Sequence, residues 1–138
     1  MLEATRALGT KLLIETTPVA KLTSISGIDA SAETIDVTSL DSQGGYREFL
    51  AGFKDAGEVS ISGWFVPGDP GQAALYTAFQ SGETQSCKIQ FPASLGAAWE
   101  FDGVVTAFTT SAETEDAITF ESTIKVSGEP TLTLPAGQ

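Results

Sequence analysis

Hydrophobic and polar residues alternate with a period of two along much of the chain. In the segment 117–126, Ile118, Phe120 and Ile124 fall on one face of an extended strand, and threonines and charged residues fall on the other. This spacing is typical of a β-strand with one buried face. Similar patterns predict about seven strands, over residues 10–16, 19–28, 34–39, 58–66, 86–91, 98–109 and 117–126. Strands of this kind favour a mainly β fold, an antiparallel two-sheet sandwich or barrel-like domain.

One short helix is predicted among these strands. Asp69 can cap its first turn. Pro70 suits the first helical position, because a backbone N–H at that position would have no hydrogen-bond partner within the helix. Gly82 is placed to end the helix, which we expect over residues 70–81, across one end of the sheet. The predicted core combines strand and helix residues: Ile35, Val37, Val59, Ile61, Phe65, Phe91, Phe101, Ile118, Phe120, Ile124, Ala74, Leu75, Ala78 and Phe79.

The segment 40–57 interrupts the alternation and is too long for an ordinary hairpin loop. Glycines break it, yet it carries large apolar side chains that need cover. Two interpretations stay open: it folds back as a lid over its own sheet, or it packs on another subunit. The residues predicted to contact another subunit are Tyr46, Arg47, Glu48, Phe49, Leu50 and Phe53. The ends, 1–9 and 129–138, are predicted to be an N-terminal and a C-terminal arm.

Composition excludes several classes of function. The chain has 138 residues, which indicates a single domain. Its net charge of −11 disfavours binding to nucleic-acid phosphates. It has no histidine and one cysteine, so triads with histidine and cysteine-rich zinc sites are excluded. No apolar run is long enough to cross a bilayer. We therefore expect no enzyme, no cofactor, no metal and no membrane binding.

A few residues are weak candidates for chemistry. Glu100 and Asp102 project from one strand face, and paired carboxylates serve in glycoside hydrolysis. A solvated strand face is the favoured interpretation of this pair. The acidic residues within 113–116 lack calcium-loop spacing and indicate a solvated hairpin tip. Cys87 lies on the apolar side of its strand, which indicates a small buried residue rather than a nucleophile.

A series of motifs carries a family resemblance over about two-thirds of the chain, from about residue 33 to 128. ETIDVTSL leads into the glycine-broken aromatic segment, which is followed by the strand GEVSISG and the helix start PGDPGQ. KIQFP, WEFDGVVTAF and TIKVSGEP complete the series. In this order the motifs resemble the major tail tube proteins of tailed bacteriophages, of the lambda-like, non-contractile type.

The resemblance implies a structural role. Such proteins are β-sandwiches that form hexameric rings, and the rings stack into a hollow tube in the virion tail. It implies that 40–57 is the stacking loop and that the terminal arms bridge rings. The implied partners are further copies of the chain, the tape measure protein, the tail tip and tail terminator proteins, and DNA in transient passage. Assembly is implied to take place in the cytoplasm of the host bacterium.

The resemblance also implies an inner sheet around the lumen. The strands expected there are 34–39, 58–65, 98–108 and 117–126, with Lys125 as their one basic residue. Carboxylates on this wall would repel DNA phosphates and small hydroxyl side chains would keep the bore wetted, whereas lysine and arginine would bind the phosphates. The acidic residues predicted to face the lumen are Asp36, Glu58, Glu100, Asp102 and Glu121.

Two other functions stay open from the sequence. One is the tube protein of a related machine, such as a contractile tail, a gene transfer agent or a secretion tube. The other is a monomeric β-sandwich that decorates a capsid or binds carbohydrate.

Overall fold

A computed structural model describes residues 6–93 and 95–134. It confirms a mainly β fold with one helix. The predicted arms lie partly outside the described residues, at 1–5 and 135–138. The elements in chain order are β1 (Lys11–Ile14), β2 (Thr17–Pro18), β3 (Leu22–Ser26), β4 (Ser31–Asp36), a 3-10 turn (Gln43–Gly45), β5 (Phe49–Asp55), β6 (Glu58–Trp64), α1 (Pro70–Ser81), β7 (Gln85–Gln90), β8 (Ala98–Ser111) and β9 (Thr119–Thr133).

Seven of the strands form one antiparallel sheet, in the order β2-β1-β7-β8-β9-β6-β3. The sheet is curled, because Leu12 of β1 and Ile61 of β6 lie near opposite ends of this order yet belong to one buried cluster. The two layers of the predicted sandwich are therefore the two halves of one continuous, curled sheet. The remaining strands, β4 and β5, pair with each other in a separate hairpin, and neither pairs with another strand of the described residues.

The core prediction is confirmed where the strands belong to the curled sheet. Those buried as predicted are Val59, Ile61, Phe101, Phe120, Ile124, Leu75 and Ala78. Phe65, Phe91 and Ala74 are half-buried against this core.

Four residues of the predicted core are exposed, so the prediction is wrong for them. Ile35 and Val37 belong to the separate hairpin, which is not covered by a second layer of the described residues. Ile118 lies just before the first residue of β9 and is 49% exposed. Phe79 lies in the last turn of α1 and is 42% exposed, although its neighbour Ala78 is buried.

The helix begins and ends at the predicted residues, Pro70 and Ser81. The Asp69 carboxylate accepts hydrogen bonds from the backbone N–H groups of Gln72 and Ala20, each at 3.0 Å, so it caps the helix and ties it to the segment before β3. Gly71 lies against the Pro18 carbonyl and the Val19 Cα, where a Cβ atom would clash. The lack of a side chain at Gly71 thus lets the helix dock closely.

Two predicted segment boundaries are wrong. The second half of 40–57 is not a loop but strand β5, which pairs with β4 from Ser31↔Asp55 to Asp36↔Phe49. The start of the predicted C-terminal arm is also not free: the end of β9 continues along β8, with Thr131 opposite Glu100 and Thr133 opposite Ala98. In both cases backbone pairing between distant segments decided the structure.

Candidate interaction surfaces

The β4–β5 hairpin, residues 31–55 with its connecting loop 37–48, carries seven of the sixteen exposed large apolar side chains among the described residues. Every residue of β4 and β5 is exposed except Gly52, which is half-buried. Asp36 lies opposite Phe49 and Ile35 opposite Leu50, so both faces of the hairpin carry apolar side chains. The exposed apolar residues are Ile35, Val37, Leu40, Tyr46, Phe49, Leu50 and Phe53. An exposed sheet usually presents a polar face to solvent, whereas both faces of this hairpin present apolar side chains.

Short-range polar contacts order the loop of this hairpin. Arg47 Nη1 lies 3.1 Å from Asp36 Oδ2, and the Glu48 backbone N–H donates to the Thr38 hydroxyl at 2.8 Å. Ser42 donates to the Glu48 carboxylate at 2.9 Å. Hydrogen bonds from Thr38, and then the one from Arg47, hold the pKa of Asp36 below its ordinary value. Arg47 and Glu48, predicted to contact another subunit, are therefore already engaged within the hairpin.

An ion pair connects the base of the hairpin to the curled sheet. Lys125 Nζ of β9 lies 3.0 Å from Asp55 Oδ1, and the Gly57 backbone N–H donates to the same oxygen at 2.7 Å. These two groups, Gly57 first, lower the pKa of Asp55. Gly57 has a φ of +78°, and a Cβ atom there would lie 2.7 Å from the Asp29 carbonyl oxygen. A glycine is thus required where the chain leaves the hairpin.

The face of the curled sheet that points away from the core is polar. Its acidic residues, Glu58, Glu100, Asp102 and Glu121, are exposed on β6, β8 and β9. Asp36 is not among them, because β4 belongs to the separate hairpin and does not join this sheet. That 34–39 lines the lumen stays a prediction. We call the outward face of the seven-stranded sheet the polar face.

Lysines accompany the carboxylates on the polar face. Lys88 of β7 lies directly opposite Glu100, and Lys11 of β1 opposite Gln90. Directly paired residues share a face, so these lysines belong to the same surface as the acidic residues. Sequence reasoning missed both lysines because it did not place β1 and β7 beside β8. Lys125, which it did place, is paired with Asp55.

A second apolar surface lies at the other end of the molecule, between α1 and β8. This α1–β8 groove has a volume of about 430 Å³. Phe108 packs edge-to-face on Tyr76 and Phe65, with ring centroids 5.6 and 6.5 Å apart. The lining residues are Phe65, Pro67, Gln72, Ala73, Tyr76, Phe108 and Thr110. No pattern in the sequence indicates this groove, because only the fold brings β6, α1 and β8 together.

The buried Gln72 side chain fixes the shape of the groove. Its Nε2 donates to the carbonyls of Ala20 at 3.0 Å and Trp64 at 2.9 Å, and its Oε1 accepts from the Val66 backbone N–H at 2.9 Å. The amide is only 2% exposed, and both of its ends are hydrogen-bonded. Sequence reasoning missed Gln72, since a glutamine in the first turn of a helix is ordinarily solvated.

The described residues offer little else that is chemically reactive. Burial, with the nearby charges of Glu15 and Asp102, raises the pKa of Cys87 to about 12, which suppresses the thiolate. Within residues 6–93 and 95–134, no three carboxylate or thiol side chains come together as metal ligands, and no helix is long and apolar enough to cross a membrane.

Solved structures of tail tubes resemble this chain over nearly its whole length. A chain from the tail of an empty gene transfer agent particle, refined with C6 symmetry, is 27% identical, with a TM-score of 0.76, and the match covers 96% of this chain and 99% of that one. A chain from the virion of a native gene transfer agent particle is 24% identical, with a TM-score of 0.79 and coverage of 94% and 99%. The SPP1 tail tube protein is 14% identical, with a TM-score of 0.68 and coverage of 94% and 80%.

No curated protein sequence matches the chain. The family model described as the lambda phage tail tube protein matches residues 12–133, from β1 to the end of β9. This match excludes the monomeric decoration or carbohydrate-binding module and agrees with the resemblance seen in the sequence motifs. The chain belongs to the lambda phage tail tube protein family and is a structural component of the tail tube of a phage-like particle, not an enzyme.

Proposed function

We propose that copies of this chain form hexameric rings, that the rings stack into a tube, and that the β4–β5 hairpin joins one ring to the next. The observation that carries the proposal is the exposure of apolar side chains on both faces of the hairpin. A two-stranded hairpin is marginally stable alone, and burying Phe49 or Phe53 against a neighbour contributes roughly 1.5–3 kcal/mol each. Tube growth supplies that neighbour.

The sixfold symmetry of the ring is inferred from a relative. The 27% identical chain belongs to a gene transfer agent tail refined with C6 symmetry, and its match to this chain is nearly complete in both directions. Free sheet edges at β2 and β3 favour closure, because a ring leaves no edge strand open to unregulated pairing.

The polar face of the curled sheet is the surface we assign to the bore. Glu58, Glu100, Asp102 and Glu121 repel phosphates, and Lys125 is held by Asp55. Lys88 and Lys11 lie on the same face, so the wall carries both signs of charge with carboxylates in excess. Such a surface is wetted and holds DNA weakly, as passage requires.

The assembled tube is proposed to have further partners before and during infection. The tape measure protein fills the bore before infection, and tail tip and terminator proteins close the two ends. DNA passes through transiently, and assembly takes place in the cytoplasm of the host bacterium. These partners are the ones that the resemblance to tail tube proteins implies.

Microscopy of the purified protein at high concentration tests the proposal. The wild-type chain should form tubes with sixfold rings, and a reconstruction should place Glu58 and Glu121 on the bore. Phe49→Ser with Phe53→Ser should abolish tube growth and leave the monomer folded, whereas Phe49→Leu with Phe53→Leu keeps the apolar contact and should grow tubes. Normal tubes from the serine variant, or a bore lined by other faces, would contradict the proposal.

A gene transfer agent is the second candidate for the particle that carries this tube. Two solved chains from such particles, at 27% and 24% identity, match this chain over 94% or more of its length. The distinction rests on the particle and not on the subunit. Purified particles that carry random host DNA would identify a gene transfer agent, and particles that carry one defined genome would identify a phage.

A further inference from the structure

We propose that the α1–β8 groove receives the β4–β5 hairpin of a second copy of the chain, in the adjacent ring. This inference rests on the proposed function above and identifies the surface on which the hairpin packs. The proposed occupant of the groove is an apolar β-hairpin of the same protein.

Head-to-tail assembly requires two different, complementary surfaces on every subunit. The hairpin provides the first, because its apolar residues are exposed on both faces. The α1–β8 groove provides the second: Phe108, Tyr76 and Phe65 form an aromatic wall that is open to solvent. Both surfaces occur on one chain, as a repeating interface demands.

The two surfaces lie at opposite ends of strand β6. The hairpin joins the sheet beside Glu58, where Asp55 and Gly57 are anchored to β9. The groove lies at the other end, where Phe65 and Pro67 follow Trp64. Seven strand residues span roughly 20 Å. Copies stacked along this direction therefore bring the hairpin end of one next to the groove end of another.

The absence of charged side chains favours the α1–β8 groove over the depression at the base of the hairpin as the binding surface. None of the described residues that line the groove is charged, whereas the depression at the hairpin base contains Asp29, Glu58 and Lys125. Each subunit carries a net charge of −11, so close contact between copies is least costly through uncharged surfaces. The hydrogen bonds of Gln72 are all made within the chain, so its amide leaves no polar group that calls for a polar ligand.

A matched pair of helix variants tests the groove. Ala73→Arg places a long charged side chain in the groove from an exposed helix position, and Thr77→Arg makes the same change in charge one turn later, outside the lining. Ala73→Arg should raise the critical concentration for tube growth at least about tenfold, while Thr77→Arg stays near the wild type. Both variants should keep the wild-type melting temperature as monomers.

Cysteine cross-linking tests the identity of the occupant. Cys87 is buried, so engineered thiols react alone. Tubes of Ala73→Cys combined with Leu40→Cys, or with Phe49→Cys, should give a ladder of multimers on a non-reducing gel after mild oxidation or a short bismaleimide. Each single variant should give none. Dimers from Ala73→Cys alone would show that the groove faces itself and would overturn the inference.

The outcomes separate the two proposals. If the wild-type chain forms no tubes, the proposed function fails. If tubes form but grow equally well from Ala73→Arg, or if neither double-cysteine variant gives a ladder, the proposed function stands and the groove is not the receptor.

Discussion

The curled sheet and the β4–β5 hairpin are made of the same kinds of residues, yet they differ in what covers them. Phe120 of β9 is 0% exposed and stacks on Phe108, with ring centroids 5.7 Å apart, whereas Phe53 of β5 is 87% exposed. Both lie on antiparallel strands. Pairing between strands therefore does not by itself bury a side chain. A second layer is needed, and the seven-stranded sheet provides one by curling. The hairpin finds its layer only on another molecule in the proposed tube.

A large-to-small substitution in each region tests this contrast most strongly. Phe120→Ala should lower the free energy of unfolding by about 3–5 kcal/mol, because it leaves a cavity in the closed core. Phe53→Ala should change the stability of the monomer by less than about 0.5 kcal/mol, because the side chain is already solvated. Chemical denaturation of both monomers measures the two values. Equal losses would show that the hairpin is folded onto its own sheet in solution.

The buried amide between helix and sheet should give the next largest effect. Gln72→Ala leaves two carbonyls and one N–H without their partner and should cost about 2–3 kcal/mol. Gln80→Ala removes the same side chain from an exposed position on the same helix and should be nearly neutral. A comparison of their melting temperatures decides whether Gln72 is structural, and an unchanged value for Gln72→Ala would refute that role.

The anchor at the base of the hairpin should give the smallest effect, since its groups are exposed. The pKa of Asp55 in the folded chain lies below its ordinary value of 3.8, so its contribution is complete above that pH and is lost as the pH falls through the lowered value. The protection of the Gly57 amide, which is its exchange rate relative to that of an unfolded peptide at the same pH, should fall in that range. Asp55→Asn should remove this pH dependence and speed exchange at neutral pH, and an unchanged exchange rate would show that the ion pair does not hold the hairpin.

Local signals in the sequence determined several elements correctly. Asp69, Pro70 and Gly82 predict the helix bounds because capping and φ restrictions act within a few residues. The alternation in β6 and β9 predicts the burial of Val59, Phe120 and Ile124 for the same reason. The order of motifs identified the family, which the family model confirms over residues 12–133.

Other features were decided only by the tertiary structure. Ile35 has the alternating pattern of a core residue but lies exposed on a hairpin that no layer of residues 6–93 and 95–134 covers. Lys88 reaches the polar face only through the pairing of β7 with β8, and Gln72 is buried only because Ala20, Trp64 and Val66 converge on it. The sequence by itself thus determined where strands, helix and apolar faces occur, because those depend on neighbours along the chain. Which faces were covered depended on contacts between distant segments, and the strand pattern is the same for a side chain that its own chain buries and for one that it leaves exposed.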